Sequence, residues 1–501
     1  MDVKAGPEPP LSPEDTLRQT LMSRGYLRLL LLCVLLGVPI SLAAFFFVSF
    51  QHQLQHWVWE SLPDAVGFDR APWWWPLPAM LLAGLILAPV ITRMPGTGGH
   101  VPVNGLGGPP LGPDALPGVV LAALGTLPLG VVLGPEAPLM ALGSGLALFA
   151  VKVLRASGEG SGGAGSGGAG SGGGGGGPAL VLATAGSTAA IATILGGPVV
   201  AALMVVEAAG IAGPRLVVLI LPALLASATG ALVFTGFGEW TGLEIGGLRL
   251  PDVPPDVNPD AGDFLWGVPL AALIAVVVCT ARALGRATVT WTGRHTARRT
   301  VMCAVAVGVC LAAYALITGL TPENAALSGQ LALGELAAHP NAESVGDLLA
   351  LVVFKGLAWG ICLGALRGGP IFPAVLLGAA LGVACSGLPG LGVTPGLALG
   401  IGAATAATTG LPVTSSVLAV LLMGVDAADQ MPLIVVSSVV AFVVAQAVRR
   451  PLRIRTAPGT PPGAGASPEA GASPEAGASP GSGPTGSAGP TGPTRPGQGS
   501  A

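Results

Sequence analysis

Long apolar runs without a charged side chain alternate along the chain with short polar segments. A helix that spans a membrane needs about 20 apolar residues. The charge-free runs are 29–59, 71–92, 115–135, 137–151, 179–206, 216–238, 264–281, 300–322, 368–425 and 430–448. The run 368–425 has room for two or three helices. Glycine and proline interrupt nearly every run, and such breaks are tolerated in a membrane only inside protein or beside a polar cavity. The pattern predicts an all-α polytopic membrane protein of tilted, broken helices, typical of a transporter or channel.

Composition excludes two other classes. Charged residues make up 9% of the 501 residues and hydrophobic residues 51%, whereas about 25% of a soluble domain is charged. The 25 acidic and 22 basic side chains nearly cancel, to a net charge of −3, so the chain has no basic field for nucleic acid. An ordinary cytosolic enzyme and a nucleic-acid-binding protein are both excluded. The six cysteines lie in apolar runs without metal-ligand spacing, so we expect no metal site.

The loops divide by charge into two sets. Arginines concentrate in 282–299 and 449–455, whereas the loops 60–70, 239–263 and 323–347 are rich in Asp and Glu. Because basic loops stay on the cytoplasmic side, we expect a multi-pass protein of the cell membrane with both termini in the cytoplasm.

Three segments have the composition of disordered chain. These are 1–15, the Gly/Ser insert 156–177, and the tail 456–501, which is rich in Pro, Gly, Ser and Ala. Such sequences bury too little apolar surface to offset the entropy lost on ordering. The prediction is one transmembrane domain over 16–455, with a disordered cytoplasmic terminus on either side.

The chain contains a weak internal repeat. One block repeats with a shift of 235 residues (134 onto 369), and a later block with a shift of 214 (198 onto 412). The matched pairs are Gly134-Pro135 with Gly369-Pro370, Gly143 with Gly378, Gly186 with Gly400, and Pro198 with Pro412. The two shifts differ by nearly the length of the Gly/Ser insert, which lies between the blocks. A duplication predicts two halves that each supply broken helices to one central site.

Three glycine- and proline-rich breaks, at 96–102, 134–138 and 368–373, are candidate anion-binding segments. Each leads into a helix N-terminus, which carries unpaired N–H groups and about half a positive charge. Several such ends pointing at one place make an anion site without a full positive charge. Weak binding of this kind permits passage.

Glu136 is the most informative single residue, because it stands between two long uncharged runs. A charge there costs about 2.5–3.5 kcal/mol. Its carboxylate could occupy the place of an anion and act as a gate or proton carrier, or it could simply cap its own helix. Lys355 and Arg367, on either side of an apolar stretch, could set a positive potential along the pathway, or reach an interface or a neighbouring helix.

These breaks, in their order and spacing, resemble the signature loops of the CLC chloride channel and transporter family. Lys355-Gly356 and the helices beginning near Pro198 and Pro412 extend the resemblance over residues 20–450. The chain looks like a divergent bacterial-type member without cytoplasmic regulatory domains. The resemblance implies a homodimer with one pathway per subunit, each between two inverted-topology halves around a central anion site. By position it makes Glu136 the gating glutamate and Thr97 the hydroxyl residue facing the anion. The anion-binding positions that it implies are Gly96, Thr97, Gly98, Gly134, Gly369, Ile371 and Phe372.

The chain departs from the family pattern in one donor of the second-half anion cradle and in the second glutamate of proton-coupled members. Pro370 has no N–H to donate. Proton-coupled members carry a second glutamate, and Glu207 lies one residue before that position, which Ala208 occupies. Alanine there favours uncoupled flow, whereas a shift of one residue would make Glu207 a proton carrier.

The leading prediction is therefore a voltage-gated-type chloride (halide) channel or passive anion transporter gated by Glu136. A proton-coupled chloride antiporter using Glu136 and Glu207 is the alternative, and the Thr97 hydroxyl disfavours a fluoride exporter. An intramembrane enzyme is disfavoured because no histidine lies deep in an apolar run, aspartate is excluded from these runs, and the zinc motif His-Glu-x-x-His is absent. We expect no cofactor, chloride or another halide as the transported ion, and the lipid bilayer as surroundings.

Overall fold

The computed structural model describes residues 13–106, 108–159, 178–209, 214–241, 259–293, 295–424 and 427–449, together with 250 and 253. Within these ranges the regular structure is helical. The α-helices are α1 (Pro13–Leu21), α2 (Arg24–His56), α3 (Leu62–Ala65), α4 (Pro76–Arg93), α5 (Leu116–Thr126), α6 (Glu136–Glu159), α7 (Pro178–Leu195), α8 (Pro198–Ala209), α9 (Pro214–Thr241), α10 (Ala261–Thr292), α11 (Thr296–Thr318), α12 (Gln330–Ala338), α13 (Val345–Ala365), α14 (Ile371–Ala384), α15 (Val393–Thr409), α16 (Pro412–Met423) and α17 (Ala427–Arg449).

Eight of the described helices are long and apolar enough to cross a membrane, which confirms the predicted class. Shorter apolar helices, α14 and α16 among them, accompany the eight. The charge-free run 368–425 folds into the three helices α14, α15 and α16. The sequence predicted broken helices, and these short helices confirm that prediction.

Helix α13 was absent from the predicted spans because two charged residues interrupt its sequence. Asp347 belongs to a capping box, in which the Ser344 hydroxyl accepts the Asp347 N–H and Asp347 accepts the Ser344 N–H. Lys355 lies fully buried within the protein. One charge therefore caps the helix and the other is enclosed by protein, so neither prevents α13 from spanning.

The internal repeat is visible in the helix boundaries. Helix α6 begins at 136 and α14 at 371, which preserves the shift of 235, and α8 and α16 begin at 198 and 412, which preserves the shift of 214. Helix α6 packs on α7, and α14 packs on α15. The contact is the same in both pairs, because a Cβ on Gly143 would overlap the Gly186 carbonyl and one on Gly378 would overlap the Gly400 carbonyl. The duplication is thus preserved in the packing of backbone on backbone.

The two halves meet at a pair of equivalent glycines. Gly134 and Gly369 form an isolated antiparallel bridge. The Gly134 N–H donates to the Gly369 carbonyl at 2.8 Å, and the Gly369 N–H donates to the Gly134 carbonyl at 2.6 Å. Equivalent residues that exchange identical contacts in opposite chain directions are related by a local two-fold axis. This relation is the one expected of two inverted halves around a centre.

The helices extend a little beyond the predicted domain limits. Helix α1 begins at Pro13, so the last residues of the segment 1–15 are helical rather than disordered. Helix α6 continues to Glu159, into the start of the predicted insert 156–177. The remainder of that insert, residues 1–12 and the tail 456–501 lie outside the described residues, so those predictions of disorder stay predictions.

Candidate functional site

Glu136 is the first residue of α6, and its side chain is 0% exposed. Its carboxylate does not stay on its own helix. The Phe372 N–H, in the first turn of α14, donates to Glu136 Oε1 at 3.0 Å. The carboxylate of one half is therefore held by the helix N-terminus of the other half.

Two glycines leave the space that this carboxylate occupies. A Cβ added to Gly369 would overlap Glu136 Oε2, and a Cβ added to Gly134 would overlap the same oxygen. These are the two residues that form the bridge between the halves. Their lack of side chains lets the backbone approach the carboxylate from both sides.

The second carboxylate oxygen, Oε2, is enclosed and has no hydrogen-bond partner among the described residues. The α14 N-terminus holds the first oxygen even though Pro370 supplies no N–H, because α14 begins at Ile371 and its amide donors follow the proline. A helix N-terminus binds anions through such N–H groups and its dipole. The position of the carboxylate is therefore one that a free anion could take.

The first glycine-rich loop adopts a run of left-handed conformations. Gly96 and Gly98 have φ of 73°, and Thr97, between them, has φ of 49°. Left-handed backbone is unusual for a β-branched residue such as threonine. The Thr97 side chain is exposed, and the Thr97 carbonyl accepts the Nε–H of Arg367 at 3.1 Å. Arg367 therefore joins this loop to the segment that leads into the third loop.

Lys355 is fully buried and caps a turn of backbone. Its Nζ donates to the carbonyl oxygens of Ala325 at 3.0 Å and Ala326 at 2.8 Å. Leu327, which follows, has a positive φ of 61°. Lys355 therefore bonds to a neighbouring segment of chain, the second of the two roles that the sequence left open for it.

Glu207 caps a neighbouring helix in the same way that Glu136 holds α14. Its Oε1 accepts the Val413 N–H at 3.0 Å, and its Oε2 accepts the Thr414 N–H at 2.8 Å and the Thr414 hydroxyl at 2.7 Å. Val413 and Thr414 belong to the first turn of α16. Both oxygens of Glu207 are thus engaged by one helix N-terminus, and this contact joins α8 to its counterpart in the repeat.

A large cavity reaches the helix that carries Glu136. Its volume is about 1480 Å³, and its walls include Ala137, Met140 and Ser144 of α6, along with His100 and Tyr26. Ala137 directly follows Glu136 in the chain. The cavity therefore reaches the first turn of α6, one residue along the chain from Glu136.

Sequence reasoning missed two arginines that hold the end of α15. Arg282 donates to the Thr408 carbonyl and, at 3.1 Å, to the Val103 carbonyl, and Arg449 donates to the Ala407 carbonyl. The last carbonyls of a helix lack intrahelical partners and favour a cation. No local pattern signals this pairing, since both arginines lie in segments predicted to be cytoplasmic loops.

Broken apolar helices, two repeated halves and a helix N-terminus directed at a buried carboxylate define a membrane transport protein suited to anions. The family model described as voltage-gated chloride channel (Voltage_CLC) matches residues 102–446. The chain belongs to this family, which confirms the resemblance inferred from its three loops.

Two curated relatives carry the same protein name. The proposed ion-transport protein YfeO of Salmonella newport (strain SL254) is 27% identical over 369 residues, which cover 72% of this chain and 81% of the relative. The YfeO protein of Salmonella agona (strain SL483) matches with the same identity and coverage.

Solved structures share the fold at low sequence identity. A slow cyanobacterial Cl⁻/H⁺ antiporter superposes with a TM-score of 0.66 at 18% identity, covering 84% of this chain and 95% of the other. A CLC-type fluoride/proton antiporter has a TM-score of 0.61, with the same identity and coverage. A eukaryotic CLC transporter has a TM-score of 0.61 at 16% identity, covering 85% and 72% of the two chains. At these identities the likeness establishes the fold.

Proposed function

We propose that this protein is a passive pathway for monovalent anions such as chloride, gated by Glu136. The observation that carries the proposal is the hydrogen bond from the Phe372 N–H to Glu136 Oε1. A carboxylate held on a helix N-terminus occupies the position where the same N–H group and dipole would bind a passing anion.

The gate works by competition between the carboxylate and the anion. While ionised, Glu136 keeps the Phe372 amide occupied and closes the position to anions. When a proton neutralises it, the charge attraction to the α14 N-terminus is lost, and the side chain can leave the space bordered by Gly134 and Gly369. Chloride then meets donors of partial charge only, which bind weakly enough for onward movement.

The contacts of Glu207 support passive flow over coupled exchange. A proton carrier must accept and release protons during each cycle. Glu207 instead accepts three hydrogen bonds at the start of α16, and a proton added to the carboxylate would remove the negative charge that strengthens these bonds. Proton-coupled exchange is the competing proposal, since two of the solved structures with this fold are those of antiporters.

The setting that we propose is a homodimer in the cell membrane, with both termini in the cytoplasm and one pathway per subunit. Helices α8 and α16 contact each other, and Val199 and Val413 on them are 53% and 56% exposed. These apolar surfaces suit an interface between subunits. We propose transport rather than catalysis, with the anion as cargo and no cofactor in the mechanism.

Flux in liposomes distinguishes passive flow from coupled exchange. The purified protein is reconstituted with equal chloride on both sides, and a pH gradient is imposed. A passive pathway leaves chloride evenly distributed, and chloride runs only down its own gradient. Net chloride uptake driven by the pH gradient alone would establish antiport and overturn the passive proposal. The absence of any anion flux at either pH would overturn anion transport itself.

A further inference from the structure

Arg367 is a nearly buried guanidinium in the third signature loop. It is 7% exposed. Its Nε donates to the Thr97 carbonyl at 3.1 Å, and its Nη1 donates to the Leu366 carbonyl at 3.0 Å. Two main-chain oxygens therefore fix the plane of the group, which orders it without neutralising it.

No carboxylate compensates this charge within the described part of the chain, where the recorded ion pair is the one between His56 and Glu60. An uncompensated buried charge costs several kcal/mol. A guanidinium has five N–H donors, and the recorded bonds use two of them. Nη2 makes no hydrogen bond within the described chain, and it is not fully enclosed.

Arg367 lies between the first loop, whose Thr97 carbonyl it bonds, and the backbone that borders the gate. Gly369, two residues further along the chain, borders the Glu136 carboxylate. On the other side, the Arg367 side chain packs against Gly98. Burial and, more weakly, the charge of Arg367 lower the pKa of His100, a residue of the cavity wall. The charge of Arg367 thus acts on one residue of the cavity wall.

We propose that Arg367 forms a second anion subsite, which favours planar monovalent oxyanions such as nitrate over halides. The Nη1 and Nη2 hydrogens left over by the two carbonyls form the end of a rigid fork. A planar oxyanion can accept two parallel N–H bonds from such a fork, whereas a spherical halide meets it as a point charge. This proposal rests on the proposed anion transport, and it adds the class of anion that the pathway binds most tightly.

Binding is measured on purified full-length protein by thermal unfolding in sodium nitrate and in sodium chloride at equal ionic strength. The wild-type protein should reach half-maximal stabilisation at a lower concentration of nitrate than of chloride. Arg367→Lys keeps the charge but loses the fork, so it should lose the nitrate preference while its chloride midpoint stays within about twofold. Arg367→Gln should raise the nitrate midpoint about tenfold or more, the loss expected for a charge-assisted hydrogen bond.

The outcomes separate a subsite from a merely structural clamp on the first loop. If Arg367 only holds the first loop in place, both variants should melt at lower temperature, and the ratio of nitrate to chloride midpoints should not change. That result overturns the proposal. If neither variant folds, the wild-type comparison decides, because equal midpoints for the two anions also overturn it. Liposomes without anion flux would refute the proposed transport, and the binding midpoints would still decide the subsite.

Discussion

Gly134 and Gly369 exchange two backbone hydrogen bonds, and both border the carboxylate of Glu136. They are equivalent positions in the two halves of the chain. The local two-fold axis between the halves therefore runs beside the candidate gate. The duplication thereby produces the site, since one half contributes the carboxylate and the other contributes the Phe372 N–H that holds it.

Gly369→Ala tests this arrangement without altering any charge. Its Cβ would overlap the Glu136 carboxylate, so we expect the side chain to leave the Phe372 N–H and the pathway to stay open. Chloride efflux from liposomes should become faster at neutral pH and lose most of its dependence on pH. Gly356→Ala is the matched control, because its Cβ meets nothing closer than 4.0 Å. If Gly369→Ala keeps the wild-type pH dependence, the position of the Glu136 carboxylate does not control gating.

Glu207→Ala should destabilise the protein and leave the pH response of transport intact. The change removes acceptors for the N–H groups of Val413 and Thr414, a loss of about 1–2 kcal/mol for a helix cap. Thermal unfolding in detergent measures it, and Glu207→Gln, which keeps one acceptor oxygen, should lose less. A stable variant with abolished proton movement would instead make Glu207 a proton carrier.

Thr97 allows backbone strain to be separated from the role of its hydroxyl. Because the residue has φ of 49°, Thr97→Gly should be more stable than Thr97→Ala by about 1 kcal/mol. Both variants lack the hydroxyl, so both should shift the chloride-to-nitrate permeability ratio by the same amount. Permeability ratios equal to those of the wild type would show that the Thr97 side chain does not line the pathway.

Glu323 gives the fold a dependence on pH away from the gate. Burial, reinforced by Glu60 and Glu335, raises the pKa of Glu323 to about 7 from an ordinary value of 4.5. The folded protein then holds a proton that the unfolded chain releases, so stability falls as pH rises from about 4.5 to 7. Glu323→Gln should flatten the decline in melting temperature between pH 5 and pH 8. Asp114→Asn, at an exposed position, is the control and should keep the wild-type slope of melting temperature against pH. If Glu323→Gln also keeps the wild-type slope, the pH dependence does not come from Glu323.

The sequence was informative wherever composition and backbone geometry decide the structure. Charge-free runs predicted most of the spanning helices, and Gly/Pro breaks predicted the short ones. The repeat matched Gly134 with Gly369 by position, and the structure adds that these two residues pair with each other. Glu136 stood out because an isolated carboxylate in an apolar setting is costly.

Long-range pairings were beyond the reach of sequence reasoning. Lys355 interrupted an apolar run and concealed α13, because its carbonyl partners lie about 30 residues away along the chain. The sequence left Glu207 open as a proton carrier and gave no sign of its partners at the start of α16. A hydrogen bond between elements distant in sequence leaves no local pattern, since either partner alone is compatible with several surroundings.

The central claim is that the Glu136 carboxylate competes with the transported anion for the α14 N-terminus. Chloride efflux from liposomes at pH 5 to pH 8 tests it most directly, with wild-type protein compared to Glu136→Gln. The account predicts that wild-type efflux rises as pH falls, whereas the glutamine variant stays fast at every pH. Efflux from Glu136→Gln that keeps the wild-type dependence on pH would contradict the account and leave Glu136 a structural cap on α14.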